Sequence, residues 1–191
     1  MNTHRKTSII VGVLILVAYS VIGSGNPEAK TLGMVLEVIS GLAVIAIAVL
    51  MFPIFKFYNK KLSFWYIVSR SIEGGLLVVT GFIFLSHNTL LLELHKGIHT
   101  VHAYIFAIAA MIFYFLLYQS KLIPRWISLW GVIAAILLIL VSLLELTGII
   151  SELIILKLPI VLNELVLAIW LLIKGFNPSA IASESAEVDM N

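Results

Sequence analysis

Ionisable side chains lie well inside the long apolar stretches of this chain, where contact with lipid is costly. An ionisable group at the centre of a bilayer costs about 2.5–3.5 kcal/mol even on the lenient insertion scale. Arg70 and Glu73 are three residues apart, so on a helix they share a face and can pair. Glu164 is expected at a similar depth on the last apolar stretch. One arginine then faces two carboxyl groups, an imbalance typical of sites that hold a proton or an external cation.

The remaining polar residues of these stretches extend the midplane set into a second, outer layer. The candidates for a cavity or an ion pair also include Asn163, next to Glu164, and Glu37, which lies in the outer third of the second stretch and so belongs by depth to the outer layer. The outer candidates are His99, His102 and Glu145. We expect them to line a vestibule that leads down to the midplane carboxyl groups, because polar residues avoid lipid around the whole bundle.

Three histidines follow an H-x-x-x-H-x-x-H pattern at His95, His99 and His102. Neutral imidazoles at this spacing can bind zinc, with a nearby glutamate as a further ligand. The chain has no cysteine and no HExxH arrangement, and the cluster is expected to straddle a loop and a helix start. We therefore predict no metal and no cofactor, and keep these histidines as the alternative. The glutamate that would complete such a zinc site is Glu93, Glu37 or Glu145.

The composition places these groups in a membrane. Of the 191 residues, 61% are hydrophobic and only 12% are charged, and the mean hydropathy is +1.12. Soluble domains are about 45–50% apolar and about 25% charged. A soluble fold of this size has too little interior to bury so much apolar surface. The lipid bilayer is therefore the expected surrounding, and nucleic acid is not an expected partner.

Six stretches are long enough to cross a hydrocarbon core, which takes about 20 residues of helix. They predict an all-α bundle of six transmembrane helices that occupies residues 1–176. Residues 177–191 are rich in serine, alanine and acids, and are expected to form a disordered cytoplasmic tail. The predicted spans are 7–24, 32–55, 62–86, 98–118, 126–150 and 153–173.

The basic residues between the spans predict the orientation of the bundle. Eight fall on one side and three on the other, which places both termini in the cytoplasm. Trp65, Trp126, Trp130 and Trp170 fall towards the same side, as expected for interfacial aromatic residues. The eight are Arg5, Lys6, Lys56, Lys60, Lys61, Lys121, Arg125 and Lys174; the three are Lys30, Lys96 and Lys157.

Several segments resemble the DUF4386 family of prokaryotic multi-pass membrane proteins of unknown function. They are RKTSIIVGVLILVAYSVIG, SRSIEGGLLVVTGF, YFLLYQSKLIPRWISLWGVIAAIL and LPIVLNELVLAIWLLIKGFNPSAI. The most specific pieces are residues 122–126, 163–165 and 174–176. The resemblance implies about six helices in the inner (cytoplasmic) membrane of a bacterium or archaeon. It supplies no catalytic residues.

These observations leave three functions open. The first is a non-enzymatic membrane protein with a polar cavity that binds a lipid, an ion or a partner. The second is a small proton-coupled transporter, suggested by the excess midplane carboxyl group. The third is a metal-dependent intramembrane hydrolase, which would rest on the histidines. For the transporter a homo-oligomer is expected, because six short helices form a thin wall.

The distribution of basic residues gives a topological prediction. Reporter domains fused at Asn26, His87 and Ser151 should read as external, and one fused after Lys174 should read as internal. Alkaline phosphatase and green fluorescent protein fusions measure the two states. An odd number of crossings would overturn the arrangement.

Overall fold

The computed structural model describes residues 3–26, 28–86, 88–150 and 154–181, and no strand occurs in these ranges. Six helices are long and apolar enough to cross a bilayer, which confirms the predicted all-α membrane bundle. The orientation of the termini stays a prediction. The helices are α1 (Thr3–Ala18, continued by a 3₁₀ segment, Tyr19–Gly23), α2 (Lys30–Tyr58), α3 (Lys60–Phe84), α4 (Thr89–Ser120), α5 (Arg125–Leu146) and α6 (Ile154–Ile173).

The helices form a closed ring. Each helix packs against its neighbours in the chain, and α6 returns to pack against α1. Short connections make consecutive helices antiparallel, so α2 and α4 run in the same direction. We call the end of the ring at which α2 and α4 begin the Glu37 end, and the opposite end, at which α1 begins, the Arg5 end. Side chains directed towards the ring axis are removed from lipid.

Glycines allow α2 and α3 to pack closely. Gly41 and Gly74 face each other, and a Cβ added to either one would overlap the carbonyl oxygen of the other. Gly81 makes a similar contact about two turns after Gly74 on α3, where an added Cβ would lie 3.0 Å from the carbonyl oxygen of Met34. Small residues at helix interfaces permit such approach, and in lipid the resulting van der Waals contact is a main source of association.

A second set of contacts closes the ring at the Arg5 end. The Arg5 guanidinium donates hydrogen bonds to the last carbonyl groups of α6, those of Leu171, Leu172 and Ile173, at 3.1, 2.8 and 3.1 Å. Carbonyl groups in the last turn lack partners within the helix, and a basic side chain there also interacts favourably with the helix dipole. Gly175 follows in a left-handed conformation (φ +78°), and a Cβ there would crowd Arg5.

The residues after α6 differ from the expected tail. Asn177 donates its backbone N–H to the carbonyl of Leu122 at 2.8 Å, and the Tyr58 hydroxyl donates to the carbonyl of Ala180 at 2.9 Å. Ala180 is buried. Residues 177–181 therefore pack on the bundle, because the connection between α4 and α5 offers them backbone partners. The rest of the predicted tail, 182–191, lies outside the described residues.

The Glu37 end also differs from the sequence expectation at one helix. α4 begins at Thr89, well before the predicted start of the fourth span at residue 98. The Asn88 side chain caps it by accepting a hydrogen bond from the backbone N–H of Leu90 at 2.9 Å. His95, His99 and His102 therefore all lie on one continuous helix, and the expectation that they straddle a loop is wrong.

The α2–α3 contact predicts that alanine is tolerated very differently at two glycines, one inside the contact and one outside it. Gly41→Ala should destabilise the bundle by about 1–3 kcal/mol, because the two backbones must move apart. Gly75→Ala is the matched control, since no atom lies within 4 Å of its added Cβ. The control should be neutral or slightly stabilising. Equal loss of thermal stability in detergent for both variants would contradict the close contact.

Candidate functional site

A buried ion pair lies near the middle of the ring. Arg70 Nη1 donates to both carboxylate oxygens of Glu73, at 3.1 and 3.0 Å, across one turn of α3. Arg70 is 6% exposed and Glu73 is 1% exposed. The structure therefore brings together the two residues whose i, i+3 spacing suggests a pair.

Aromatic rings hold the other sides of the guanidinium. Its central carbon lies 5.5 Å from the ring centroid of Phe106, 5.7 Å from that of Tyr66 and 5.9 Å from that of Phe113. Such contacts are favourable for a cation that has lost its water. The Nε atom of Arg70 is buried and has no hydrogen-bond partner among the described residues. Its Nε–H is thus a buried donor that the described protein atoms do not satisfy.

Glu164 approaches from the opposite side of the ring, on α6. Its Oε2 accepts a hydrogen bond from the Tyr19 hydroxyl at 2.8 Å, and the residue is 8% exposed. Tyr19 is the first residue of the 3₁₀ segment that follows α1. The Ser40 hydroxyl donates to the carbonyl of Ala18 at 2.8 Å. This bond holds α2 against the point at which α1 ends and the 3₁₀ segment begins. The segment therefore positions the tyrosine beside Glu164.

A cavity of about 220 Å³ separates these groups. Five of the six helices contribute to it, and α5 does not. Most of its wall is aliphatic or aromatic, including Ile15, Val44 and Leu77. Ile22 at its rim is 72% exposed, so the cavity reaches the surface of the bundle beside the 3₁₀ segment. Its polar lining consists of Tyr19, Arg70, Glu73, His102 and Glu164.

A second polar cluster lies towards the Glu37 end. Glu37 is 1% exposed, and its Oε1 lies 2.9 Å from His95 Nε2 and 3.2 Å from His99 Nε2. The Ser24 hydroxyl lies 3.3 Å from the same oxygen, and its shorter hydrogen bond goes to the carbonyl of Val21 at 2.8 Å. We call Glu37, His95 and His99 the Glu37 cluster. It is formed where the N-terminal halves of two parallel helices, α2 and α4, approach each other.

His102 links the Glu37 cluster to the cavity. Its Nε2 lies 3.8 Å from Oε1 of Glu73, and its ring centroid lies 6.0 Å from that of His99. The three histidines therefore divide between two sites. His95 and His99 contact Glu37, whereas His102 faces the ion pair. Glu37, His99 and His102 thus follow one another from the Glu37 end towards Glu73. That these residues line a vestibule stays a prediction.

Two predicted site residues lie elsewhere. Glu145 forms an ion pair with Lys157 at 3.0 Å and lines a different surface pocket, so it does not join the histidines. Asn163 is fully buried and donates its side-chain N–H to the carbonyl of Ile127 at 3.0 Å. It ties α6 to α5, on the other face of α6 from the cavity. Each lies on the expected helix, but on a face that lines neither the cavity nor the Glu37 cluster.

Sequence reasoning missed Tyr19 and Ser24. Each is a polar residue near the end of the first apolar stretch, and such residues usually contact headgroups or water. Only the approach of α1 to α2 and α6 makes them partners of buried carboxyl groups. The signal in the sequence was the unmatched carboxyl groups themselves, because each requires a donor from another helix.

The six apolar helices and their buried polar axis define a multi-pass integral membrane protein. The sequence profile of the family described as "Domain of unknown function (DUF4386)" matches residues 17–175. The chain belongs to this family, as the resemblance of its segments indicates. All residues of the cavity lining and of the Glu37 cluster fall in the matched range except Ile15. A search of curated proteins found no match, and a search of solved structures found none.

The ion pair predicts a specific pattern in a double-mutant cycle. Arg70→Leu should destabilise the bundle by about 3–5 kcal/mol, because it leaves the buried Glu73 carboxylate without its cation. Adding Glu73→Gln should recover at least ~1 kcal/mol of this loss. The free energy of unfolding in mixed micelles measures both. The control pair, Lys157→Leu with Glu145→Gln, has side chains that are 27% and 19% exposed and should show weaker coupling. A fully additive Arg70–Glu73 cycle would contradict the pairing.

Proposed function

We propose that this membrane protein binds one small amphiphilic cation in the central cavity of its helix ring. The supporting observation is Glu164, a buried carboxyl group in an otherwise mostly apolar wall. Its one hydrogen bond among the described residues comes from the neutral Tyr19 hydroxyl. The proposal covers binding and assigns no catalytic reaction to the cavity.

The charges of the cavity favour a cationic ligand. Arg70 is already paired with Glu73 through both carboxylate oxygens. Glu164 is therefore the carboxyl group in excess, and a positive group brought by the ligand would balance it. A carboxylate in a site of low dielectric constant gains more from a cation than it would in water. An anionic ligand would instead have to overcome two carboxyl groups with a single arginine.

The walls and the volume favour a short apolar body. A cavity of about 220 Å³ has room for a short apolar group, but it cannot enclose the two acyl chains of a lipid. The aliphatic residues of α1, α2 and α6 offer contact to an alkyl or small ring system. Pockets of this kind commonly combine an apolar lining with a few polar groups that fix orientation. A primary or quaternary amine with a short alkyl group satisfies these requirements.

A proton-coupled transporter is the second candidate. It is favoured by the position of two carboxyl groups, Glu73 and Glu164, around one arginine in a cavity near mid-membrane. A transporter must open this cavity to each side in turn, whereas a binding protein need open it on one side only. Uptake of the same amine into sealed proteoliposomes, driven by a proton gradient, would separate the two.

The proposal predicts selective binding of n-hexylammonium over hexanoate by protein in nanodiscs. The amine should raise the melting temperature in a saturable manner, and the acid should not. Glu164→Gln should weaken amine binding by at least ~10-fold, because a charge-assisted hydrogen bond contributes about 1.5–3 kcal/mol. Tyr19→Phe should have a smaller effect, since it removes a neutral donor from the carboxyl group.

Glu145→Gln is the matched control for this experiment. It removes a carboxylate at the bundle periphery, where Lys157 is its partner, and should leave amine binding unchanged. Equal stabilisation by hexanoate would contradict a cation site. Unchanged amine binding by Glu164→Gln would show that the amine acts on the surrounding lipid and not in the cavity.

A further inference from the structure

The Glu37 cluster has the ligand set and spacing of a transition-metal site. One carboxylate oxygen and two imidazole nitrogens, from Glu37, His95 and His99, lie within 4.8 Å of one another. Two ligands about 2.0–2.1 Å from a tetrahedral zinc ion are about 3.3–3.4 Å apart. The Oε1–Nε2 distances of 2.9 and 3.2 Å are close to this separation. Two of the three ligand separations therefore already suit one ion, and the two imidazole nitrogens lie within 4.8 Å of each other.

The hydrogen bonding of Glu37 is an independent indication of a missing partner. Three side chains, those of Ser24, His95 and His99, contact its Oε1. Its Oε2 is buried and has no hydrogen-bond partner in the part of the chain that is described. Buried carboxylate oxygens are rarely left in this condition, because an unpaired polar atom costs about 1–3 kcal/mol or more when charged. A cation at the cluster would contact Oε1 and lower the electrostatic cost of burying the whole carboxylate.

The helices hold the three ligands in place. His95 and His99 are four residues apart, so they project from the same face of α4. Their ring centroids are 4.5 Å apart, and the Phe84 ring packs 5.0 Å from His95. Glu37 comes from α2, which runs parallel to α4. The histidine side chains are only 14% and 29% exposed, so the cluster is sheltered yet reachable from the Glu37 end.

We propose that Glu37, His95 and His99 bind one divalent transition-metal ion, with zinc as the best fit. Imidazole nitrogen favours zinc and its neighbours in the first transition series, whereas Mg²⁺ and Ca²⁺ require sets made mainly of oxygen ligands. Two histidines and one glutamate occupy three positions and leave a fourth for water or another ligand. The site is separate from the cation cavity, because neither Glu37, His95 nor His99 lines that cavity.

The test uses tag-free, full-length protein in nanodiscs, stripped with a chelator and given Zn²⁺ alone. We expect one zinc ion per chain by mass spectrometry of the metal content. X-ray absorption should show nitrogen and oxygen neighbours at about 2.0–2.2 Å. His95→Gln and His99→Gln should each weaken zinc binding by at least ~100-fold, since even outer partners of metal ligands contribute 10–100-fold. Glu37→Gln should weaken it as well.

Two histidine controls make the assignment specific. His4→Gln removes a histidine at the Arg5 end, and His102→Gln removes the histidine next to the cluster; both should retain the zinc affinity of the unchanged protein. Loss of zinc in His102→Gln equal to that in His99→Gln would overturn the ligand set. Substoichiometric zinc in the unchanged protein, or undiminished binding by the His95 and His99 variants, would overturn the site.

Folding of the variants is checked by helix content and by elution as a single species. Glu37→Gln preserves the shape of the side chain but is the variant most at risk, because the residue is fully buried. If it does not fold, the two histidine variants decide the question, since both positions are partly exposed. Excess Mg²⁺ or Ca²⁺ should not displace the zinc, and displacement by either would contradict a nitrogen-rich site.

Discussion

The absence of water in the bilayer core is the constraint on which this structure depends. A guanidinium such as that of Arg70 must find its counter-charge within the protein, because lipid offers none. Glu73 supplies the charge from the next turn of the same helix, and rings from α3 and α4 cover the remaining surface. This arrangement requires α3 to direct one particular face towards the ring axis. The ion pair therefore fixes the rotation of α3 relative to its neighbours.

The close packing of α2 on α3 follows from the same rotation. The face of α3 that carries Arg70 and Glu73 also carries Gly74 and Gly81, which meet α2 at backbone distance. At the Arg5 end, Arg5 satisfies the last carbonyl groups of α6 and joins the first helix to the last. The central ion pair and the hydrogen bonds of Arg5 thus both stabilise the same ring of helices. The cavity is the space that side chains of unequal size leave open along the axis of the helix ring.

The polar axis has two chemically distinct parts. The cavity combines an ion pair, a second carboxyl group and an apolar wall, which suits an organic cation. The Glu37 cluster combines two imidazoles with one carboxylate, which suits a transition-metal ion. His102 lies between them, 3.8 Å from Glu73. An ion at the cluster would therefore place a positive charge above the cavity, where it would influence which ligands enter.

The sequence by itself determined the membrane class, the number of helices and the pairing of Arg70 with Glu73. Each of these follows from local properties: apolar length, short connections and i, i+3 spacing. The family also followed from local segments. The positions of Glu145 and Asn163 along their helices were predictable, because they depend only on the count of residues. Their faces were not, because rotation about the helix axis depends on contacts with other helices.

Only the tertiary structure decided which residues share a site. The early start of α4 places His95 and His99 on one helical face, and the parallel approach of α2 brings Glu37 to them. The 3₁₀ segment after α1 carries Tyr19 to Glu164, across 145 residues of sequence. Residues 177–181 pack on the bundle because a distant connection offers backbone partners. Contacts between residues far apart in the chain depend on how every helix is rotated at once, and no local pattern encodes that.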